Sequence, residues 1–287
     1  MPARDDATPM WRPGAGPWFQ VLATLAVLLL LAVSARAGTV TVGGTGSALQ
    51  AVRLLAEGFE ATHPDIRVEV PASLGTNGGI RAVAAGAIDL CVAARPLTEA
   101  ETAAGLRAVP WGSTPVMVVV APSVGEHAVT FDDLAELLSG RRPQWANGEP
   151  VVPVLRPPAE ADTLLLSAAT PGLAQAIEQA RARPGMLVAI TDQESAQVLT
   201  STPGAVGTIT LLQKESERLA LRALALNGER PDLAALADGR YPLTRRYWIV
   251  SGPAPSAEAR ALLEHLAGPA ADKRLRGLGL LPVAHAR

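Results

Sequence analysis

The sequence predicts an α/β fold of two lobes, and three observations carry that expectation. Strand-like and helix-like segments alternate along most of the chain, beginning with two strand–loop–helix units in succession, the pattern of a parallel sheet with crossover helices. The 287 residues, less an N-terminal targeting segment, leave about 250 for folding, more than one small α/β domain uses. The composition, 48% hydrophobic and 18% charged, is that of a globular chain rather than a disordered one. With only 3% aromatic residues, the core must be assembled from Leu, Val, Ala and Ile.

The chain opens on a targeting segment. Val21 to Val33 is an apolar run broken only by Thr24. It is short of the roughly 20 residues a membrane span needs and suits the apolar region of a signal peptide. Ala35 and Ala37 then form a small-x-small cleavage pattern, so residues 1–37 are expected to be removed. An uncleaved N-terminal anchor is the alternative. Either way the body of the protein is expected outside the cytoplasm, periplasmic or secreted, away from ATP and nicotinamide cofactors. No cofactor is expected.

The elements follow in order. Thr39 to Val42 reads as a strand and Gly43 to Ser47 as a tight turn. A helix carries Leu49, Val52, Leu55 and Phe59 on one face and ends at His63-Pro64. Ile66, Val68 and Val70 alternate as in a half-buried strand. Gly75 to Gly79 is a second glycine-rich turn, before a short helix with Ile80 and Val83 and a buried strand from Ile88 to Ala93. Pro115 to Ala121 is a continuous apolar strand. Thr130, with Asp133 three residues on, caps a helix that stops at Gly140. Val151 to Leu155 is a strand, Pro171 to Arg183 a helix, Leu187 to Ile190 a strand, and Asp192 a helix cap. Strands are expected after Pro203-Gly204, over Leu219 to Leu226 and over Tyr247 to Val250. Helices are expected over Ser256 to Ala267 and Pro269 to Leu278.

Bulk charge excludes several functions. A net charge of −2 and the lack of a basic run give no footprint for nucleic acid. The single cysteine, Cys91, allows no intrachain disulfide and reads as a small buried strand residue. The four histidines have no ligand-like spacing, so no metal site is expected. Trp111 and Trp145 belong to a cleft wall or to the core, and Tyr241 to a hinge.

The two glycine-rich turns carry the chemistry. Each presents unpaired backbone N–H groups at a helix start, beside the hydroxyls of Thr45, Ser47 and Thr76. Such turns can hold an oxyanion without Lys or Arg, and they can equally be ordinary turns and caps. Neither is followed by Gly-Lys-Ser/Thr, and the first lacks the third glycine of a dinucleotide fingerprint.

The stretches GGTGSA (Gly43 to Ala48), GTNGGI (Gly75 to Ile80), GAIDLCVAARPLTEAE (Gly86 to Glu101), PGAVGTITL (Pro203 to Leu211) and DGRYPLTR (Asp238 to Arg245) resemble the phosphate-binding proteins of ABC transporters, and the likeness spans residues 39–285. The resemblance implies a type II periplasmic-binding-protein fold, two α/β lobes joined by two hinge crossings, with lobe 1 over 38–118 plus 225–287 and lobe 2 over 119–224. It implies ligand contacts from Thr45, Gly46, Ser47, Thr76 and Asn77, and from Arg156 at the start of the second-lobe loop. It also implies inorganic phosphate or a similar oxyanion as ligand, an ABC permease as partner, a monomer, and no enzymatic activity.

The chain departs from that pattern in two places. After Arg156 the family's neutral Ser and Gly are replaced by Glu160, Ala161 and Asp162, with Thr163 next, and Ala94 stands where phosphate binders place a proton-accepting Asp. Either Glu160 or Asp162 accepts the proton of hydrogen phosphate beside Arg156, or the carboxylates mark a different ligand. Otherwise Asp162 caps a helix starting near Thr163, Glu160 is solvated, and Arg156 makes a structural salt bridge. The competing functions are an accessory or sensory binding protein and a secreted hydrolase using Glu160 and Asp162. Against the hydrolase, no Gly-x-Ser-x-Gly elbow is present.

Overall fold

The computed structural model describes residues 38–284; the expected signal segment over 1–37 lies outside the described residues. The chain begins with β1 (Gly38–Gly44), α1 (Gly46–Thr62), β2 (Ile66–Glu69), α2 (Gly75–Ala84), β3 (Leu90–Ala93) and α3 (Glu99–Ala103). β1 pairs in parallel with both β2 and β3, as the alternation implied. Leu49, Val52, Leu55 and Phe59 line the buried face of α1. The long strand β4 (Arg107–Val120) follows, then β5 (Ala128–Val129), α4 (Phe131–Ser139), β6 (Val152–Leu155), α5 (Ala161–Ala169), α6 (Pro171–Arg181) and β7 (Leu187–Val188). Next come α7 (Asp192–Ser201), β8 (Ala205–Thr210), α8 (Leu211–Glu217), β9 (Arg222–Ala223), β10 (Ala225–Leu226) and α9 (Leu233–Ala237). The chain closes with β11 (Thr244–Ser251), α10 (Ala257–Ala267), α11 (Asp272–Gly277) and β12 (Leu281–Pro282).

One ten-stranded sheet runs in the order β2-β1-β3-β11-β4-β8-β6-β7, with β12 and β9 also on β4. Its middle strand is shared. Arg107 to Pro115 of β4 lie opposite β11, whereas Val116 to Val120 lie opposite β8. The buried side chains divide accordingly. One core gathers Val40, Val42, the inner face of α1, Trp111, Tyr247 and Leu262. A second gathers Val116 to Val120, Leu134, Leu137, Leu173, Ile177 and Ile209, and a small third cluster joins Ile80 and Val83 of α2 to Cys91, Ala93, Leu106 and Val250. The chain passes from the first to the second at Pro115–Val116 and returns at Leu243–Thr244, with Leu212 of α8 reaching back into the first between these points. These points adjoin: Thr244 faces Pro115, and the Val116 N–H donates to the Leu243 carbonyl at 2.8 Å. Tyr241 lies beside them, its hydroxyl on the Val116 carbonyl at 3.0 Å.

Local chemistry explains the differences from the sequence reading. The apolar strand expected from Pro115 is the second half of β4. Its first half carries only the short run Ala108 to Trp111, broken by Pro110 and followed by Gly112, and is a strand because β11 pairs with it. Gly75 to Gly79 is not a loop but the beginning of α2, entered through Gly75 at φ +65°. The strand expected over Leu219 to Leu226 is two short pieces, because the chain changes partner at Leu224 from β4 to β5. Leu226, Ala235, Tyr241 and Leu243 pack in the same core as Val116 to Val120. Both tryptophans are core residues rather than cleft walls: Trp111 Nε1 donates to the Leu266 carbonyl and Trp145 Nε1 to that of Gly204, each at 2.8 Å. Cys91 is a fully buried residue of β3, its thiol pushed up to about 12 by burial.

Candidate functional site

The end of β1 and the start of α1 are held by the backbone. Gly44 has φ +122°, and a Cβ there would lie 2.1 Å from the Val92 carbonyl oxygen. The Thr45 N–H donates to that same carbonyl at 2.9 Å. Thr45 stands at the N-cap of α1 with an extended backbone but makes no side-chain cap bond. Its hydroxyl lies 3.3 Å from that of Ser47, which in turn is 2.9 Å from the Tyr247 hydroxyl. Burial pushes Tyr247 up to about 12, so it is a neutral hydrogen-bonding phenol beside Ser47 rather than a base.

The free N–H groups at the α1 start are met from across the molecule. Ser47 N–H donates to Oδ2 of Asp192 at 3.0 Å, and Gln193 Nε2 donates to the Gly46 carbonyl at 3.0 Å. A Cβ on Gly46 would lie 2.5 Å from Gln193 Oε1 and 2.8 Å from Asp192 Oδ2, so only glycine admits this approach. Asp192 does not cap its own helix. Thr191 does, accepting from the Glu194 N–H, and Asp192 is the first helical residue of α7, its carboxylate turned to α1.

Asp192 Oδ1 accepts from Arg156 Nη2 at 3.3 Å. Arg156 is buried at the end of β6, where Nη1 also donates to the Ala189 carbonyl at 2.9 Å and Nη2 lies 3.6 Å from Glu160 Oε2. Glu160 occupies the N-cap position of α5 without a side-chain cap bond. Asp162 is not a cap. It is buried, ion-paired with Arg245 and accepting from the Thr208 hydroxyl at 3.0 Å. Thr163 is buried too, its hydroxyl donating to the Arg156 carbonyl at 3.2 Å.

At the start of α2, Thr76 Oγ1 accepts from the Ala94 N–H at 3.0 Å. Asn77 Oδ1 accepts two bonds from Arg95, at 3.0 and 2.8 Å, and Arg95 is paired with Glu101 at 2.8 Å. Glu101 is held down at about 2, chiefly by its bond from Arg95.

These groups surround a crevice in two connected parts. The larger, about 500 Å³, is lined by Thr45, Thr76, Asn77, Ala94, Glu160 and Arg245 among others. The smaller, about 230 Å³, is lined by Thr45, Ser73, Arg156, Glu160 and Asp192 among others. Thr45, Leu74, Gly75 and Glu160 face both. Of the sequence-derived candidates, Thr45, Thr76, Asn77, Arg156 and Glu160 therefore share one crevice. Gly46 and Ser47 lie behind Asp192, and Asp162 and Thr163 are engaged inside the protein. Asp192 and Arg245 were not expected: Asp192 reads as a helix cap, and nothing marks Arg245 beyond its place after the Tyr-Pro-Leu segment.

The cluster sets two buried guanidinium groups, Arg156 and Arg245, against the three carboxylates of Glu160, Asp162 and Asp192. Burial raises the pKa of Asp192, with Arg156 opposing it, and raises that of Glu160 in the same way. Burial works against the charge of Arg245, but Asp162 beside it holds the guanidinium firmly protonated.

Solved structures share this architecture. A Clostridium perfringens protein described as a phosphate ABC transporter substrate-binding protein with bound phosphate is 15% identical and matches 86% of this chain and 100% of that one at a TM-score of 0.72. A phosphate-binding protein from Stenotrophomonas maltophilia is 14% identical, with 86% and 91% covered and a TM-score of 0.62. An ABC-type phosphate transport receptor from Vibrio cholerae is 19% identical, with 84% and 99% covered and a TM-score of 0.59. At these identities the likeness is one of fold, the two-lobed α/β fold of periplasmic binding proteins. Comparison with curated proteins gives no match. Residues 32–269 match the family model described as the PBP superfamily domain, and the chain belongs to that superfamily.

Proposed function

We propose that this chain captures phosphate or a related oxyanion outside the cytoplasm and delivers it to an ABC permease, acting as a monomeric binding protein without chemistry of its own. One observation carries the reading: a carboxylate, that of Asp192, already rests between the α1 N-terminus and the buried Arg156. Backbone N–H groups, a helix dipole and a guanidinium are the donors an oxyanion uses, and this pair of helix starts and Arg156 supplies them around one crevice. We place the lobes where the cores divide, 38–115 with 244–284 and 116–243, so that the crevice lies between them and the adjoining crossings act as the hinge.

A second reading has its own support. The larger crevice, about 500 Å³, exceeds what a bare phosphate fills. Leu74 and Leu164 on its wall are 45% and 57% exposed, and Ile190 beside the smaller part is 62% exposed. That wall favours an oxyanion carrying an organic arm, such as a phosphate monoester.

Thermal melting with inorganic phosphate, sulfate and small phosphate monoesters tests both readings. A ligand present at about a hundred times its Kd stabilises by about 2.7 kcal/mol, or several degrees for a chain of this size. A shift with phosphate but not sulfate supports capture of phosphate, and a larger shift with a monoester supports the organic ligand. No shift with any oxyanion sinks the proposal.

A further inference from the structure

The place between α1 and Arg156 is taken by the protein's own side chain. Asp192 Oδ2 holds the Ser47 N–H at 3.0 Å and Oδ1 meets Arg156 at 3.3 Å, so one carboxylate uses the donors that a bound oxyanion would use. The contact bridges the two cores. α1 packs in the core around Val40 and Tyr247, while Ala189 and Leu199, flanking Asp192, pack in the other. Gln193 strengthens the bridge through the Gly46 carbonyl, and Gly46 has no side chain to hold the two helix starts apart.

We propose that Asp192 is a tethered occupant of the oxyanion site, which draws the cleft shut in the absence of solute and must be displaced for solute to bind. This rests on the capture reading above and adds its regulation. A tethered carboxylate competes at a high effective concentration, so it lowers the apparent affinity of every anion that offers nothing more than it does. The solute that wins must also reach contacts that Asp192 leaves unused. Those lie across the crevice at Thr76 and Asn77, where α2 begins. Asp192 thereby selects against small carboxylates and in favour of anions broad enough to span both helix starts.

The test uses the full chain and two variants, D192N, which keeps the shape and removes the charge, and D192A. Isothermal titration with inorganic phosphate gives the affinity, and small-angle scattering without solute gives the openness of the cleft. D192N is expected to bind phosphate on the order of tenfold tighter than wild type. Ligand-free D192A is expected to have a larger radius of gyration than ligand-free wild type. Should D192A not fold, ligand-free D192N takes its place in the scattering, with the same expectation. A D192N affinity equal to or weaker than wild type overturns the proposal, and so does a ligand-free radius unchanged by the substitution. If neither wild type nor any variant binds phosphate, it is the capture reading that fails, and scattering alone then decides whether Asp192 holds the cleft shut.

Discussion

Gly79 shows how closely single atoms fix this site. It sits on α2 against the β1 turn, and a Cβ added there would lie 2.4 Å from Cys91 Sγ and 2.8 Å from Gly44 Cα. Neither neighbour can yield, because Gly44 carries the turn and Cys91 is fully buried. Gly79→Ala is therefore expected to push α2 outward and to cost about 2–3 kcal/mol, read as a lower urea midpoint at unchanged slope. A cost near zero would mean that α2 is free to shift. The importance of these glycines was legible in the sequence, but their role as a helix start was not, since Leu74 precedes them where a Ser, Thr, Asp or Asn would have announced a cap. Asp192 was legible as a polar residue at a helix start. Its partner was not, because Ser47 is 145 positions away and no local pattern points that far.

Among the elements, α5 and β11 are tied by charge. Asp162 and Arg245 are both buried, and apart from Arg245 the Asp162 carboxylate has the Thr208 hydroxyl. Removing one partner of a buried pair strands the other. Arg245→Ala is expected to destabilise by about 3–5 kcal/mol, and the double change D162L/R245M to recover much of that loss in chemical denaturation. A double variant as unstable as the single one would show that the pair matters through shape rather than charge. The capped and amphipathic helices, such as α1, α4 and α10, could be read directly, since Thr130-x-x-Asp133, Ser256 and the spacing of Leu and Phe are local signals. β4 could be read only in its second half. Its first half is a strand by pairing, not by propensity, and pairing is decided elsewhere in the chain.

At the scale of the whole molecule, titration pulls stability in two directions. Burial raises the pKa values of Asp192, Glu160 and Glu217, so the folded chain holds their protons to higher pH than the unfolded chain does. Their contribution is complete below the ordinary carboxylate range, about pH 4, and is lost as pH rises through the raised values. Glu101 is the opposite case: held at about 2 by Arg95, it contributes above the ordinary range and loses that contribution as pH falls toward its own pKa. Melting temperature followed across pH is expected to decline less on the rising side in E160Q and less on the acid side in E101Q; curves parallel to wild type would remove those groups from the balance. Two lobes were legible from length and alternation, yet which core receives 225–243 was not, because Leu226, Tyr241 and Leu243 suit either interior until they are packed. The 14-residue β4 has a last consequence. One uninterrupted ribbon belongs to both halves, so neither can be excised intact, and denaturation of either strips the other of its middle neighbour. Calorimetry should accordingly record a single endotherm whose van't Hoff and calorimetric enthalpies agree, rather than two successive ones.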